Sequence, residues 1–218
     1  FDAVVENIQK SFFDRERLVE VNWTERARQE RQNVVEAPSL VEAARRINAL
    51  LGELKTSHTV LLTPDDVDYY VLNGVFGRGR STYAGIGLFS TRIDGRDFVD
   101  LLLEGYPADH AGLKVGDEIV SVDGGPYHPI RSFRGKIGKD AAVGVRRIEG
   151  GPVVTVDVDV VGIEPLAAFS EATLTSARVI EREGRRIGYV HVWASIGDTE
   201  QKLAEALAHL GIARLPQY

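Results

Sequence analysis

Two short runs in this 218-residue chain put chemistry-bearing residues side by side. The first is Ser57-His58, which closes Leu51-Gly52-Glu53-Leu54-Lys55-Thr56 and leads into an apolar run. An imidazole titrates near neutrality, so a histidine beside a hydroxyl can take a serine proton. A histidine alone in a sequence is more often structural, and the pair by itself leaves both readings open. The second run is Tyr83-Ala84-Gly85-Ile86-Gly87-Leu88. Two glycines around one apolar residue, at the entry to a strand, let successive backbone N–H groups line a concave nest that holds a carboxylate. The strand that follows can accept an extended peptide along its edge. A lone Gly-x-Gly also fits a tight turn or a bulge. Elsewhere, His191 alternates with Tyr189 and Trp193 on one strand face. With no second ligand at metal spacing, a core or interface role fits it better than zinc, and no metal site is expected. Asp65-Asp66 reads as charge at a helix start rather than as a general acid/base pair.

The elements around these runs follow from periodicity. Phe1, Val4, Val5, Ile8 and Phe12 share one helical face. Asn22 with Glu25, and Ser39 with Glu42, have capping-box spacing; the first opens a polar helix to Arg31. After Ser39, the residues Leu40, Ala43, Ala44, Ile47, Leu50, Leu51 and Leu54 form an apolar stripe. Thr63-Pro64-Asp65-Asp66 predicts another helix start, and Gly74, Gly77 and Gly79 a flexible joint from Gly74 to Ser81. Strands are expected over Tyr83–Ser90, Asp97–Glu104, Glu118–Val122, Ala141–Ile148 and Val153–Val161. Helices are expected over Pro107–Leu113 and Pro129–Ile137. After Pro165, Ala172–Glu181 and Ile187–Trp193 read as strands and Asp198–Leu210 as an amphipathic helix, the opening of a βαβ layer.

Composition narrows the function. The net charge of −6 disfavours nucleic acid as partner, because phosphate binding needs clustered Lys and Arg. Arg26 to Arg31 is a mixed-charge, solvated helix face. No apolar run is long enough to span a bilayer. There is no Cys, so no disulfide or thiolate chemistry is available. The chain has no Met and begins with Phe1, which reads as a trimmed or processed chain whose targeting segment would lie upstream.

The run Pro107-Ala108-Asp109-His110-Ala111-Gly112-Leu113-Lys114-Val115-Gly116-Asp117-Glu118-Ile119-Val120-Ser121-Val122-Asp123-Gly124, downstream of Gly85-Ile86-Gly87-Leu88, resembles the PDZ family. The resemblance implies that Gly85, Ile86, Gly87 and Leu88 supply carboxylate-binding N–H groups. It also implies that Phe133 and Ile137 line the pocket for the peptide's last side chain, although plain core positions suit those two equally well. Taken in order, the Ser57-His58-Thr59 run, the PDZ run and Arg186-Ile187-Gly188-Tyr189-Val190-His191-Val192-Trp193 resemble serine peptidases of the C-terminal processing (tail-specific) and tricorn type. The expected fold is therefore α+β and multidomain. It comprises a helical domain over 1–74, a PDZ-like β-sandwich with two helices over 75–164 and the start of an α/β catalytic domain over 165–218. In the tricorn branch the matching residues would be His58 as base and Ser57 as its tetrad neighbour; in the processing branch a lysine is the base and Ser-His-Thr is structural. The nucleophile and its oxyanion glycines would lie beyond Tyr218. The resemblance further implies protein or peptide substrates with free C-termini, no cofactor, a bacterial periplasmic or other extracytoplasmic location, and room for a homo-oligomer. The competing expectation is a non-catalytic PDZ scaffold.

Overall fold

The computed structural model describes residues 1–77, 81–195 and 198–210. The chain divides into two compact units, Phe1–Thr63 and Pro64–Tyr218. The first carries four helices: α1 (Asp2–Ser11), α2 (Arg15–Glu20), α3 (Trp23–Val35) and α4 (Leu40–Gly52). Its core is the predicted stripe. Ile47, Leu50, Leu51 and Leu54 of α4 and its end pack with Trp23, Ala27 and Val34 of α3 and with Phe12. Ser39 caps α4 through its hydroxyl, which accepts from the Glu42 N–H at 3.2 Å. The Asn22 capping box does not form. Asn22 adopts the left-handed conformation at φ 51° with no side-chain cap bond, and α3 runs on to Val35.

The second unit opens with α5 (Val67–Phe76), which starts after Asp66 rather than at the Thr63-Pro64 signal. Val67 and Tyr70 pack onto the cluster containing Tyr83, Leu103 and Ile163, so α5 belongs with this unit and not with a helical domain ending at residue 74. Gly74 is no joint. It sits inside α5, where a Cβ would lie 3.1 Å from Leu166 Cγ. The rest of the expected joint, residues 78–80, lies outside the described residues.

The β-rich part follows the predicted order. It contains β1 (Tyr83–Gly85), β2 (Leu88–Ile93), β3 (Arg96–Leu102), the short α6 (Pro107–His110), β4 (Glu118–Val122), β5 (Asp140–Arg146), β6 (Val154–Asp159) and β7 (Val161–Ile163). Strands β2-β3-β4-β5-β6 form one antiparallel sheet in that order, and β1 pairs with β7. Alternate residues Val99, Ile119, Val143, Val145 and Val158 fill its core. The Gly116-Asp117-Glu118 turn is held by buried acids. Asp117 Oδ2 accepts from the Lys114 N–H at 2.9 Å, and Glu118 Oε2 receives Arg146 at 2.6 Å.

Three expectations are corrected in this unit. Tyr83–Ser90 is two strands, because the chain turns at Gly87. Pro129–Ile137 is a series of turns rather than a regular helix, leaving α6 as the one regular helix between β1 and β7 among the described residues. Ala172–Glu181 is not a strand: α7 (Pro165–Thr175) occupies its first part and β8 (Arg178–Arg182) its last. Strand β9 (Arg185–Tyr189) pairs back on β8, and α8 (Thr199–His209) matches the expected terminal helix. Ala168 and Ala172 of α7 are fully buried in the same cluster as Tyr83 and Ile163. Helix α7 is therefore packed into the β-rich part. No helix among the described residues is long and apolar enough to cross a membrane.

Candidate functional site

The Gly85–Leu88 run forms the crossing from β1 to β2. Its apolar side chains point inward: Ile86 is 2% and Leu88 8% exposed. Its carbonyls also point inward, Ile86 C=O accepting from the Ala108 N–H at 2.8 Å and Gly87 C=O from the Leu103 N–H at 2.9 Å. Gly87 must be glycine. Its φ is +84°, and a Cβ there would fall 2.3 Å from Tyr106 Cβ. A Cβ on Gly85 would meet Ile163 Cδ1 at 2.9 Å. No hydrogen bond from the Ile86 or Gly87 N–H is found among the described residues. Strand β2, which continues from the loop, is an edge of the five-stranded sheet. Consecutive N–H groups with inward-turned carbonyls, followed by an open strand edge, suit a peptide that ends in a carboxylate and lies along β2.

The two predicted pocket residues part company. Phe133 is 1% exposed and packs edge-on against Tyr127, with ring centroids 6.4 Å apart. Ile137 is 58% exposed. Its Cδ1 lies 3.5 Å from where a Cβ on Gly162 would stand, and Gly162 pairs with Ala84, next to Gly85. Phe133 thus underlies the region, whereas Ile137 presents surface beside the loop. What orders this stretch is His128. Its Nδ1 accepts from the N–H groups of Ile130 (3.2 Å) and Arg131 (3.3 Å). Burial, aided by the nearby Arg131 charge, holds its pKa below the usual histidine value, which keeps it an acceptor. From the same stretch, the Tyr127 hydroxyl donates to Ser90 Oγ of β2 at 3.0 Å. Neither residue stood out in the sequence, because a histidine cap leaves no spacing signature.

In the first unit, Ser57 and His58 lie on the turn after α4, both exposed. Ser57 Oγ is 2.7 Å from His58 Nδ1. With Nδ1–H donating to Ser57, the Nε2 lone pair faces outward and can take a proton; with the opposite tautomer it cannot. The turn is anchored on both sides. Asn48 exchanges two hydrogen bonds with the Leu61 backbone, at 2.9 and 2.7 Å. Glu53 is gripped by Arg26 at 3.0 and 2.5 Å, and its carbonyl receives Arg17. The Arg26 hydrogen bond holds the Glu53 carboxyl below its usual range.

A further cluster was hidden from sequence reading. Glu104, in the turn that follows β3, accepts the Trp193 indole N–H at 2.6 Å with one oxygen and lies 3.0 Å from His191 Nδ1 with the other. Trp193 stacks on Phe169 of α7 and on Phe89 of β2, with centroids 6.0 Å apart in each case. The period-2 spacing of His191 and Trp193 could have suggested a shared partner, but nothing marked Glu104. Among the described residues no group of three or more His, Cys, Asp or Glu side chains is placed to hold a metal ion.

The fold has counterparts among solved structures. The photosystem II D1 C-terminal processing protease matches over 96% of this chain with 18% identity and a TM-score of 0.50. The fold of this chain is similar to part of that protease. The chain spans 56% of that protease's length. A second match is the PDZ domain of a carboxy-terminal protease from Vibrio cholerae, solved in complex with peptide. It has 20% identity and a TM-score of 0.32, over 38% of this chain and 97% of that domain. No family model matches the sequence, and no curated protein matches it.

Proposed function

We propose that this chain is the peptide-capturing portion of a serine endopeptidase of the C-terminal processing type, with a PDZ-type domain that holds substrate C-termini. The observation that carries the reading is the Gly85–Leu88 crossing. It turns its carbonyls and side chains inward and runs directly into the open edge of β2. The processing-protease fold supports it. In this reading the N–H groups of the loop bind the terminal carboxylate, β2 pairs with the last residues of the substrate, and Ile137 borders the site of the final side chain. The partners are then unfolded or extended polypeptides with free C-termini, met in an extracytoplasmic compartment.

The test is a calorimetric titration of the full chain with one apolar-ended hexapeptide, prepared with a free carboxylate and as its amide. Each hydrogen bond to a charged group contributes on the order of 1.5–3 kcal/mol. The free acid should therefore bind at least about tenfold more tightly than the amide. Equal affinities would sink the carboxylate loop.

We assign His58 as the general base and Ser57 as the residue that orients it. The support is the 2.7 Å bond at Nδ1 and the exposed turn that leaves Nε2 open to a reacting hydroxyl. In the full-length enzyme, His58→Ala should lower kcat by roughly 10²–10⁴-fold, the usual contribution of a general base. Turnover at the wild-type rate would move the base to a lysine elsewhere in the protein.

A further inference from the structure

We propose that Glu104 is a positioning residue that couples occupation of the carboxylate loop to the His191–Trp193 segment. The proposal rests on the peptide-capture reading. The Leu103–Tyr106 turn is a shared wall between the two places. On one side, the Leu103 N–H donates to Gly87 C=O at 2.9 Å, and Tyr106 Cβ abuts Gly87 so closely that no Cβ fits between them. On the other side, a Cβ on Gly105 would meet Thr175 Cγ2 of α7 at 2.7 Å, and the Tyr106 hydroxyl donates to Glu171 of α7 at 2.8 Å.

Glu104 lies in the middle of this turn and holds both ring N–H positions of the downstream segment, Trp193 Nε1 and His191 Nδ1. The backbone of that segment is pinned to α7 as well. The His191 N–H donates to Ser176 Oγ at 2.7 Å and the Trp193 N–H to Thr173 Oγ1 at 3.1 Å. A second route runs through β2 itself, because Phe89, one residue after Leu88, stacks on Trp193. A ligand on the Ile86 and Gly87 N–H groups favours the loop geometry in which the carbonyls stay turned toward Leu103 and Ala108. The carbonyls bonded to Leu103 and Ala108 belong to the same loop. The turn that supplies the Leu103 donor is packed on both faces and tied by Glu104 to Trp193, so a ligand that steadies the loop also steadies the Trp193 contact. Coupling of this kind is reciprocal: loosening the Glu104 grip must weaken peptide binding.

The experiment uses the same free-acid hexapeptide with the full chain, read by calorimetry and by tryptophan emission. Trp193 is one of two tryptophans, and the other, Trp23, is buried in the first unit. The peptide should shift the emission of the wild type and leave that of Trp193→Phe unchanged. Glu104→Ala should weaken binding about threefold to tenfold and remove the emission response. Glu104→Gln keeps an acceptor for the indole N–H and should recover most of both, which also guards against an alanine variant that does not fold. If the peptide binds the wild type with no Trp193 response and Glu104→Gln and Glu104→Ala bind it equally well, the coupling is wrong while peptide capture stands. If no free-acid peptide binds the wild type, peptide capture fails and the coupling falls with it.

Discussion

Gly87→Ala should destabilise the second unit by about 3 kcal/mol and abolish detectable binding of a free-acid peptide. Two costs add. An L-residue at φ +84° pays on the order of 1–2 kcal/mol for the left-handed backbone. The new methyl then falls 2.3 Å from Tyr106 Cβ, and a Cβ is fixed by its backbone, so no side-chain rotation relieves the clash. Overpacking of this kind typically costs a further ~1–3 kcal/mol. Relief requires the Leu103–Tyr106 turn to move away. That movement breaks the Leu103 N–H bond to Gly87 C=O and rotates the N–H groups out of the nest. Gly95→Ala provides the control: φ is +79° there, yet nothing lies within 4 Å of the added Cβ. It should cost only about 1 kcal/mol and spare binding. Urea unfolding monitored by circular dichroism gives the stabilities, and calorimetry the affinities. Equal losses in the two variants, with peptide binding retained by Gly87→Ala, would show that the crossing does not need its observed geometry.

How far such features can be read from sequence depends on whether they are local. Gly87 was legible because the left-handed conformation it permits belongs to its own backbone, and Gly85, where a Cβ would meet Ile163 and Tyr83, was legible as its partner in the Gly-x-Gly run. The Ser39–Glu42 cap and the α4 stripe were legible for the same reason: capping and helical period are written over a few residues. Asn22 shows the limit of that reasoning. Its spacing to Glu25 fits a capping box, but the preceding α2 ends at Glu20, leaving so short a link that Asn22 turns left-handed instead of capping. Helix α7 was misread because Thr173 and Thr175 look like strand residues. In the fold, Thr173 Oγ1 donates back to Phe169 C=O at 2.8 Å and tolerates the helix. A start signal was present and outweighed, since Pro165 stands in the first turn and Glu164 caps the Ala167 N–H at 3.0 Å. Residues 129–137 carry a helix-like pattern but are ordered by His128 and by the demand that Phe133 be buried. Glu104 is legible from no window at all, because its partners lie 87 and 89 residues away.

The same distinction, between a side chain that holds the fold and one that meets a ligand, decides what Phe133 and Ile137 do. Phe133→Ala should cost about 4 kcal/mol, the range for an aromatic residue removed from a packed core, because Phe133 is 1% exposed among Ile86, Leu88, Tyr127 and Val143. Its effect on peptide binding would then follow from the loosened support under Ile86 and Leu88. Ile137→Ala is the sharper probe. At 58% exposure it should change stability by no more than about 0.5 kcal/mol, as surface substitutions usually do. If Ile137 borders the last side chain of the peptide, the lost apolar contact is worth about 1 kcal/mol. Affinity for an apolar-ended peptide should then fall about fivefold, while a glycine-ended peptide, which has no side chain to contact, should bind both proteins alike. An unchanged affinity for the apolar-ended peptide would remove Ile137 from the site. It would also leave the loop N–H groups and the β2 edge as the whole of the recognition surface, a site that reads the carboxylate and main chain of a substrate but not its final residue.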